Sequence, residues 1–369
     1  SHPIGDFRKI VGDILSSGTK IPYMPQSVND NMIYQFHNVI PGLLLEGGNV
    51  FLDLSTIEKV KNFNNYKGEL RLKDMHLLPS GMFLKREFIE GLHVLQEELE
   101  VSKPNIWGVK GEITGPMTEA YSITVIPKRS KAIHDDEIFD VIVKTTCEVA
   151  VWLSSKIAEI TRKVVGKDGA AILFVDEPLL PLVLREHDAN EVKEALERVL
   201  KKIKCKKGVH VCDEPASVAD MILELGVDYF SFDMKKYPKT LEIIDRERLK
   251  QHIAEGKGFA FGVTPNTPES IMDEGTLYKA YKREVNIEEF LPTPHEIAKT
   301  LTSNLEKVKE EVNLEDLVMG SLLTPQCGFR SFTVPNPEEG EKIVRILLER
   351  QEKAAQIIRE KYGIHKEKA

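Results

Sequence analysis

Aromatic residues, cysteines and surplus positive charge are all scarce in this sequence. Of its 369 residues, 7% are Phe, Trp or Tyr and four are Cys, while 58 Asp and Glu outnumber 50 Lys and Arg, for a formal net charge of −8. Four cysteines in so long a chain do not make a disulfide scaffold and fit reduced thiols better. The acidic balance argues against a nucleic-acid partner, because such proteins usually carry a concentrated basic surface.

Long apolar runs are also missing. No stretch approaches the roughly 20 residues needed to span a bilayer, and residues 1–5 lack the basic-then-apolar pattern of a signal peptide. These absences predict a cytoplasmic protein with neither a membrane nor nucleic acid as partner. The hydrophobic content of 41% is ample for a large core.

Short apolar segments alternate with segments of helical periodicity from about residue 100 onward. The short segments suit strands buried on both faces of a parallel sheet. They are Asn105–Lys110, Ala171–Val175, Gly208–Cys212, Val227–Phe232, Gly258–Val263 and Leu317–Leu323. The helical stripes cover residues 136–165, 192–203, 216–225, 296–311 and 340–361.

This alternation predicts parallel strand pairing with right-handed crossovers. Two further strand candidates, Ile21–Met24 and Val50–Leu54, raise the count to the eight that close a (β/α)8 TIM barrel. A doubly wound open sheet is the alternative, although no Gly-x-Gly-x-x-Gly turn follows an early strand. We therefore expect one α/β TIM-barrel domain over residues 1–369. Its predicted parts are the start of the barrel with an N-terminal extension (1–100), a motif-bearing region (101–335) and a C-terminal helix (336–369).

Reactive side chains follow several predicted strands, where the loops of a parallel barrel open onto one catalytic face. The candidates are Glu112, Thr114, Asp176, Glu177, His210, Cys212, Asp233, Asn266 and Cys327. His210 and Cys212 are two residues apart, so both point to one side of a strand. With Cys327 and a carboxylate from Asp233, they offer the N, S, S and O donors that suit tetrahedral zinc. A small apolar core position for each thiol is the simpler alternative.

Five motifs occur in a characteristic order along the chain. They are Gly111-Glu112-Ile113-Thr114-Gly115-Pro116-Met117-Thr118, Phe174-Val175-Asp176-Glu177-Pro178, His210-Val211-Cys212, Asp228–Asp233 and Thr324-Pro325-Gln326-Cys327-Gly328-Phe329. In this order they resemble the catalytic barrel of cobalamin-independent methionine synthase. They also resemble its short single-barrel relatives in the uroporphyrinogen decarboxylase/methionine synthase-like superfamily. The resemblance covers roughly residues 100–335.

The resemblance carries expectations for fold and site. It implies a TIM barrel with a zinc ion held by His210, Cys212, Cys327 and a carboxylate. That carboxylate is Glu in the synthase and matches Asp233 here, which is one methylene shorter. It also implies that Asp176 faces the amino group of an amino-acid thiol.

The ligand types indicate the reaction. A free thiol with a pKa of about 8.5 is mostly protonated at neutral pH, and coordination to zinc deprotonates it. An anionic ligand set leaves charge on the substrate sulfur, whereas hydrolytic zinc sites use mostly neutral ligands. Methyl transfer to a small thiol is therefore favoured, with homocysteine ahead of coenzyme M-like acceptors. Asp176, Glu177 and Glu112 are the candidate catalytic residues, and Asp176, Thr114 and Asn266 the candidate substrate-binding residues.

The methyl donor stays open between a methyl-folate and a methylated corrinoid on a partner protein, and the oligomeric state is undefined. The segment Asp74–Pro79 resembles the Asp-x-His-x-x-Gly corrinoid signature but lacks its glycine, so His76 is interpreted as a loop or rim residue.

A metal-free lyase of the decarboxylase branch is the second hypothesis. That branch requires several arginines at the rim, where the strand ends offer Arg330. A non-catalytic barrel is the third hypothesis.

Overall fold

The computed structural model of the chain describes residues 1–40, 42–55 and 89–364, which form a mixed α/β fold. The segment Asp74–Pro79 lies outside these ranges. The strands are β1 Leu43–Glu46, β2 Asn49–Asp53, β3 Gly108–Thr114, β4 Thr124–Ile126, β5 Ser130–Lys131, β6 Ala170–Asp176, β7 Lys206–Val211, β8 Tyr229–Asp233, β9 Gly258–Thr264 and β10 Leu322–Pro325. The helices are α1 Phe7–Ser16, α2 Met32–Gln35, α3 Glu90–Ser102, α4 Pro116–Ser122, α5 Asp136–Val164, α6 Leu180–Glu186, α7 Ala189–Leu200, α8 Ala219–Glu224, α9 Thr240–Ile243, α10 Arg246–Ala254, α11 Glu274–Tyr281, α12 Pro294–Leu305, α13 Leu314–Met319 and α14 Pro337–Lys361.

The main sheet has six strands in the order β10-β9-β8-β7-β6-β3, and every neighbouring pair is parallel. Helices connect these strands, and the long helix α5 packs on β3 and β6. The predicted alternation of strands and helices is confirmed from β3 onward. All seven residues of β9 are buried, as expected for a central strand of a parallel sheet covered on both faces.

The two strand candidates near the N-terminus have different outcomes. Tyr23 forms a parallel bridge with Lys110, and the Met24 N–H donates to the Lys110 carbonyl at 2.8 Å, so this segment lies beside β3. The segment Val50–Leu54 overlaps β2, but β2 belongs to a separate four-stranded sheet of order β1-β2-β4-β5, so its assignment to the barrel is wrong. The hydrogen bonding of the described residues defines six parallel strands and one edge bridge, and the full (β/α)8 barrel stays a prediction.

The last predicted strand, Leu317–Leu323, is wrong in its first half. Residues Leu314–Met319 are helical, because the Asn313 side chain caps this helix by accepting from the N–H groups of Glu315 and Asp316. The strand itself is Leu322–Pro325. The predicted strand Asn105–Lys110 also begins later and continues to Thr114, so Glu112 and Thr114 lie within β3 instead of after it.

Side chains of alternate strand residues fill the inner face of the main sheet. Ile172, Phe174, Tyr229 and Ala260 form a small buried apolar cluster there. Further along the same strands this face becomes polar, with Asp176 two residues after Phe174 on β6 and Ser231 two residues after Tyr229 on β8. The inner face therefore has an apolar floor and a polar rim at the carboxyl ends of the strands.

None of the helices in the described ranges has both the length and the apolar character that a bilayer span requires.

A buried acid–base pair joins the N-terminal region to α4. The Nδ1 atom of His37 lies 3.1 Å from Glu119 Oε1, and His37 Nε2 lies 3.0 Å from Thr146 Oγ1. The His37 and Glu119 side chains are 1% and 0% exposed. Burial raises the pKa of Glu119 to about 7, although the charge of the nearby His37 opposes the rise.

Glu119 should make stability fall as the pH rises. Because its folded-state pKa lies above the unfolded value of 4.5, the folded chain holds an extra proton between about pH 4.5 and 7, and the unfolded chain does not. Across this window we expect wild type to lose on the order of 3 kcal/mol more than Glu119→Gln. Urea unfolding at a series of pH values measures the difference. Glu194→Gln, an exposed control, should retain the wild-type slope, and parallel curves for wild type and Glu119→Gln would refute the prediction.

Candidate metal centre

Three donor side chains meet at the carboxyl edge of the main sheet. His210 lies on β7, Cys212 directly follows its last residue, and Cys327 follows β10. Two strands separate β7 from β10, so in a flat sheet they would lie roughly 14 Å apart. The Sγ atoms of Cys212 and Cys327 are nevertheless 3.4 Å apart. The sheet must therefore curl, and the loop after β10 must reach inward over its edge.

The donor atoms have the spacing of a metal site. His210 Nε2 lies 3.0 Å from Cys212 Sγ, and the donor atoms of His210, Cys212 and Cys327 all lie within 4.8 Å of one another. Tetrahedral zinc with its usual bond lengths needs donor separations of about 3.5–3.8 Å. The observed distances are a few tenths of an ångström shorter, which small side-chain rotations would correct. One nitrogen and two sulfur donors match the preference of zinc.

Neighbouring groups orient these donors. Ser231 Oγ lies 2.9 Å from His210 Nδ1, which leaves Nε2 directed toward the sulfurs. Such a partner on the far ring nitrogen is typical of metal-binding histidines. The pKa of Cys327 is held well below its usual value by a hydrogen bond from Cys212, with a further contribution from His210. A lowered thiol pKa favours the thiolate, the form that binds metals.

Asp233, the predicted fourth ligand, lies at the end of β8 and does not join this group of three. Its Oδ1 accepts from the Lys236 N–H at 2.8 Å, and its Oδ2 accepts from Gln326 Nε2 at 2.8 Å. Gln326 directly precedes Cys327. The carboxylate of Asp233 thus anchors the loop that carries Cys327, and its role as a ligand stays a prediction.

Acidic residues from neighbouring strands line the same face. Asp176 ends β6 and pairs directly with His210, and Glu112 lies on β3 two residues before Thr114, the residue that pairs with Asp176. Burial, together with the negative charge of Glu112, raises the pKa of Asp176 to about 6. Burial also opposes ionisation of Glu112, but its ion pair with Lys110 outweighs this and lowers its pKa. Lys110 was missed in the sequence, although a Lys and a Glu two residues apart in a buried strand could have indicated it.

Glu177 is held by α4 and does not extend into the group of donors. Its carboxylate accepts from the N–H groups of Met117 and Thr118 at 2.9 and 2.8 Å and from the Thr118 hydroxyl at 2.7 Å. Burial raises its pKa to about 7 although these donors favour the ionised form. A Cβ atom on Gly115 would lie 2.2 Å from Glu177 Oε1, so glycine is required for this approach. These contacts give Glu177 a structural role at the start of α4.

The two other predicted substrate-binding residues contact backbone carbonyls. The Thr114 hydroxyl donates to the Met32 carbonyl at 2.9 Å and is buried. Asn266 Nδ2 donates to the Gly328 carbonyl at 3.2 Å, next to Cys327. Asn266 therefore supports the Cys327 loop, as Asp233 does from the other side. Substrate binding by either residue stays a prediction.

The fold is α/β, and the carboxyl edge of its parallel sheet carries the donors His210, Cys212 and Cys327. This arrangement defines the chain as a candidate metal-binding protein. No protein-family model matches it. Among curated proteins, it is 25% identical over 252 residues to methionine synthase from Methanocaldococcus jannaschii, covering 66% of this chain and 67% of that protein. The predicted resemblance to a methionine synthase is therefore confirmed.

Two solved structures are also similar to the chain. One is a B12-independent methionine synthase from Shewanella sp. W3-18-1 in complex with selenomethionine, with a TM-score of 0.44 and 17% identity, covering 72% of this chain and 67% of that one. The other is a methyltransferase from Methanosarcina mazei, with a TM-score of 0.49 and 14% identity, covering 94% of this chain and 82% of that one.

Proposed function

We propose that this chain is a zinc-dependent, cytoplasmic methyltransferase that methylates a small thiol, with homocysteine as the favoured acceptor. The observation that carries the proposal is the approach of His210, Cys212 and Cys327 to within 4.8 Å of one another at the carboxyl edge of the sheet. The relationship to a methionine synthase supports methyl transfer as the reaction class. Residues 1–369 would act as one domain.

Different side chains would bind the substrate and activate its thiol. Zinc held by the two cysteines and His210 would lower the pKa of the substrate thiol and hold it as a thiolate. Ser231 keeps His210 in the required orientation. Asp176, with an ionisable carboxylate facing the same space, would accept hydrogen bonds from the ammonium group of an amino-acid thiol, and Glu112 lies close enough to assist.

The methyl group would pass directly to the thiolate sulfur. A new sulfur–carbon bond forms as the bond between the methyl carbon and its donor breaks, and the donor keeps the electron pair. A methylated corrinoid on a partner protein and a methyl-folate are the two candidate donors. A coenzyme M-like thiol is the alternative acceptor, and it would lack an ammonium group for Asp176.

Cobalt substitution tests whether the centre is open to a thiol. Protein loaded with Co²⁺ should show the visible absorption of a tetrahedral cobalt–thiolate site, and addition of homocysteine should change this spectrum at about one equivalent per chain. Methionine, which has no thiol, is the matched control and should leave the spectrum unchanged. A cobalt spectrum that no thiol alters would indicate a closed structural site and contradict the proposal. Failure to bind any metal would favour the metal-free lyase instead.

A further inference from the structure

A lysine lies on the inner face of the sheet beside the candidate metal centre. Lys110 is on β3, two residues before Glu112, so both side chains point to the same face. Its ammonium forms an ion pair with Glu112 and lies 5.1 Å from the centre of the Phe174 ring and 6.0 Å from that of Tyr23. The side chain is 22% exposed, so it is confined but not sealed.

The surroundings of Lys110 hold it in place. Tyr23 is fixed by His2, whose Nε2 lies 2.8 Å from the Tyr23 hydroxyl and whose Nδ1 lies 2.9 Å from Glu341 Oε1. Burial lowers the pKa of His2 and so favours the neutral ring, which would donate from Nδ1 to Glu341 and accept a hydrogen bond from the Tyr23 hydroxyl at Nε2. Lys110 is therefore enclosed by two aromatic faces and one carboxylate, and its charge stays beside Glu112.

Apart from the metal centre, the charged side chains of β3 and β6 have a simple charge balance. Lys110 contributes one positive charge, while Glu112 and Asp176 contribute one negative charge each, which leaves one uncompensated carboxylate. Burying the two charges of an ion pair such as Lys110–Glu112 costs free energy. The attraction between the two charges offsets that cost only while both are present. A ligand carrying one ammonium group would complete the balance.

We propose that Lys110 is a specificity-determining residue that neutralises Glu112 and thereby limits the preference of the site for ammonium-bearing thiols. This inference rests on the proposed function, in which the substrate is a thiol, and it concerns which class of thiol the site prefers. Without Lys110, two adjacent carboxylates would face the ligand, and the site would favour positive charge more strongly. The lysine thus limits how strongly the site prefers amine-bearing thiols over other thiols.

Four thiols of similar length separate the effect of an ammonium group on binding from the effect of a carboxylate. Homocysteine carries an amine and a carboxylate, 3-aminopropane-1-thiol an amine, 4-mercaptobutyrate a carboxylate, and propane-1-thiol neither. Their binding to zinc-loaded wild type and Lys110→Met is measured by titration calorimetry at about pH 8, above the pKa of about 6 of Asp176. We expect Lys110→Met to raise the affinity ratio of amine-bearing to amine-free thiols about tenfold, the order expected for one charge a few ångströms away in a partly solvated site.

Two further variants complete the test. Lys110→Arg keeps the charge and should retain the wild-type ratio. Lys206→Met should also retain it, because Lys206 is exposed at the start of β7, four residues before His210, with its ammonium 5.7 Å from the centre of the Tyr229 ring. An equal change in affinity for all four thiols in Lys110→Met would overturn the inference and leave the proposed function intact. A loss of affinity confined to homocysteine and 4-mercaptobutyrate, the two carboxylate-bearing thiols, would do the same. If wild type binds none of the four thiols, both the proposed function and the inference are wrong.

Discussion

Replacing Cys212 with serine should abolish stoichiometric zinc binding and leave the fold intact. A serine hydroxyl is not ionised at neutral pH and is a poor zinc ligand, so the centre would keep His210 and Cys327 alone. The affinity for zinc should fall by more than the roughly 10–100-fold that loss of a supporting group outside the ligands costs. Elemental analysis of protein purified without chelator measures the zinc content, and circular dichroism checks the fold.

A second cysteine provides the matched control. Cys205 is partly buried, and its Sγ contacts the Lys206 carbonyl at 3.5 Å at the start of β7, away from the three donors. Cys205→Ser should therefore retain one zinc per chain, whereas Cys327→Ser should lose zinc as Cys212→Ser does. Full zinc occupancy in Cys212→Ser would show that the donor assignment is wrong.

Truncation of Glu177 to alanine should destabilise the protein by about 3–5 kcal/mol. The change removes the acceptor for two buried backbone N–H groups, those of Met117 and Thr118, and for the Thr118 hydroxyl. Each unsatisfied buried donor costs about 1–3 kcal/mol, and packing around the removed side chain is lost as well. The midpoint of urea unfolding, followed by circular dichroism, measures the loss.

The control for Glu177 is a glutamate on a neighbouring helix. Glu186 accepts from the Tyr121 hydroxyl in an exposed contact at 3.2 Å, so Glu186→Ala should change stability by less than about 0.5 kcal/mol. Equal unfolding midpoints for Glu177→Ala and wild type would mean that α4 does not depend on this carboxylate. Folded Glu177→Ala that binds metal but not thiols would instead support the predicted role of Glu177 at the site.

Local sequence patterns predicted β9 and α5. The continuous apolar run of β9 suits a strand that is buried throughout, and the apolar stripe of α5 suits a helix that is buried on one face. The segment around Leu317 failed because a run of apolar residues does not distinguish a buried strand from a short helix. The asparagine cap at residue 313 was the local signal that would have corrected it. The placement of β2 in a second sheet depends on its pairing partners, which no local pattern contains.

The candidate site divides in the same way. His210 and Cys212 followed from strand geometry, and Cys327 from the rule that catalytic groups collect at strand ends. The partners of Asp233 and Glu177 could not be predicted, because Gln326 and Thr118 are distant in sequence from the carboxylates they contact. Lys110 could not be found by the rule that catalytic groups follow strands, because this side chain lies within β3.

The contact between Cys212 and Cys327 joins positions 115 residues apart in the chain. An ion shared by these sulfurs would act as a reversible cross-link around three strands, β8, β9 and β10. Since the folded form alone presents such a preassembled pair, tolerance to heat and denaturant would rise with the concentration of free metal. The chain's persistence in a cell would then be linked to metal supply, in addition to any effect on turnover.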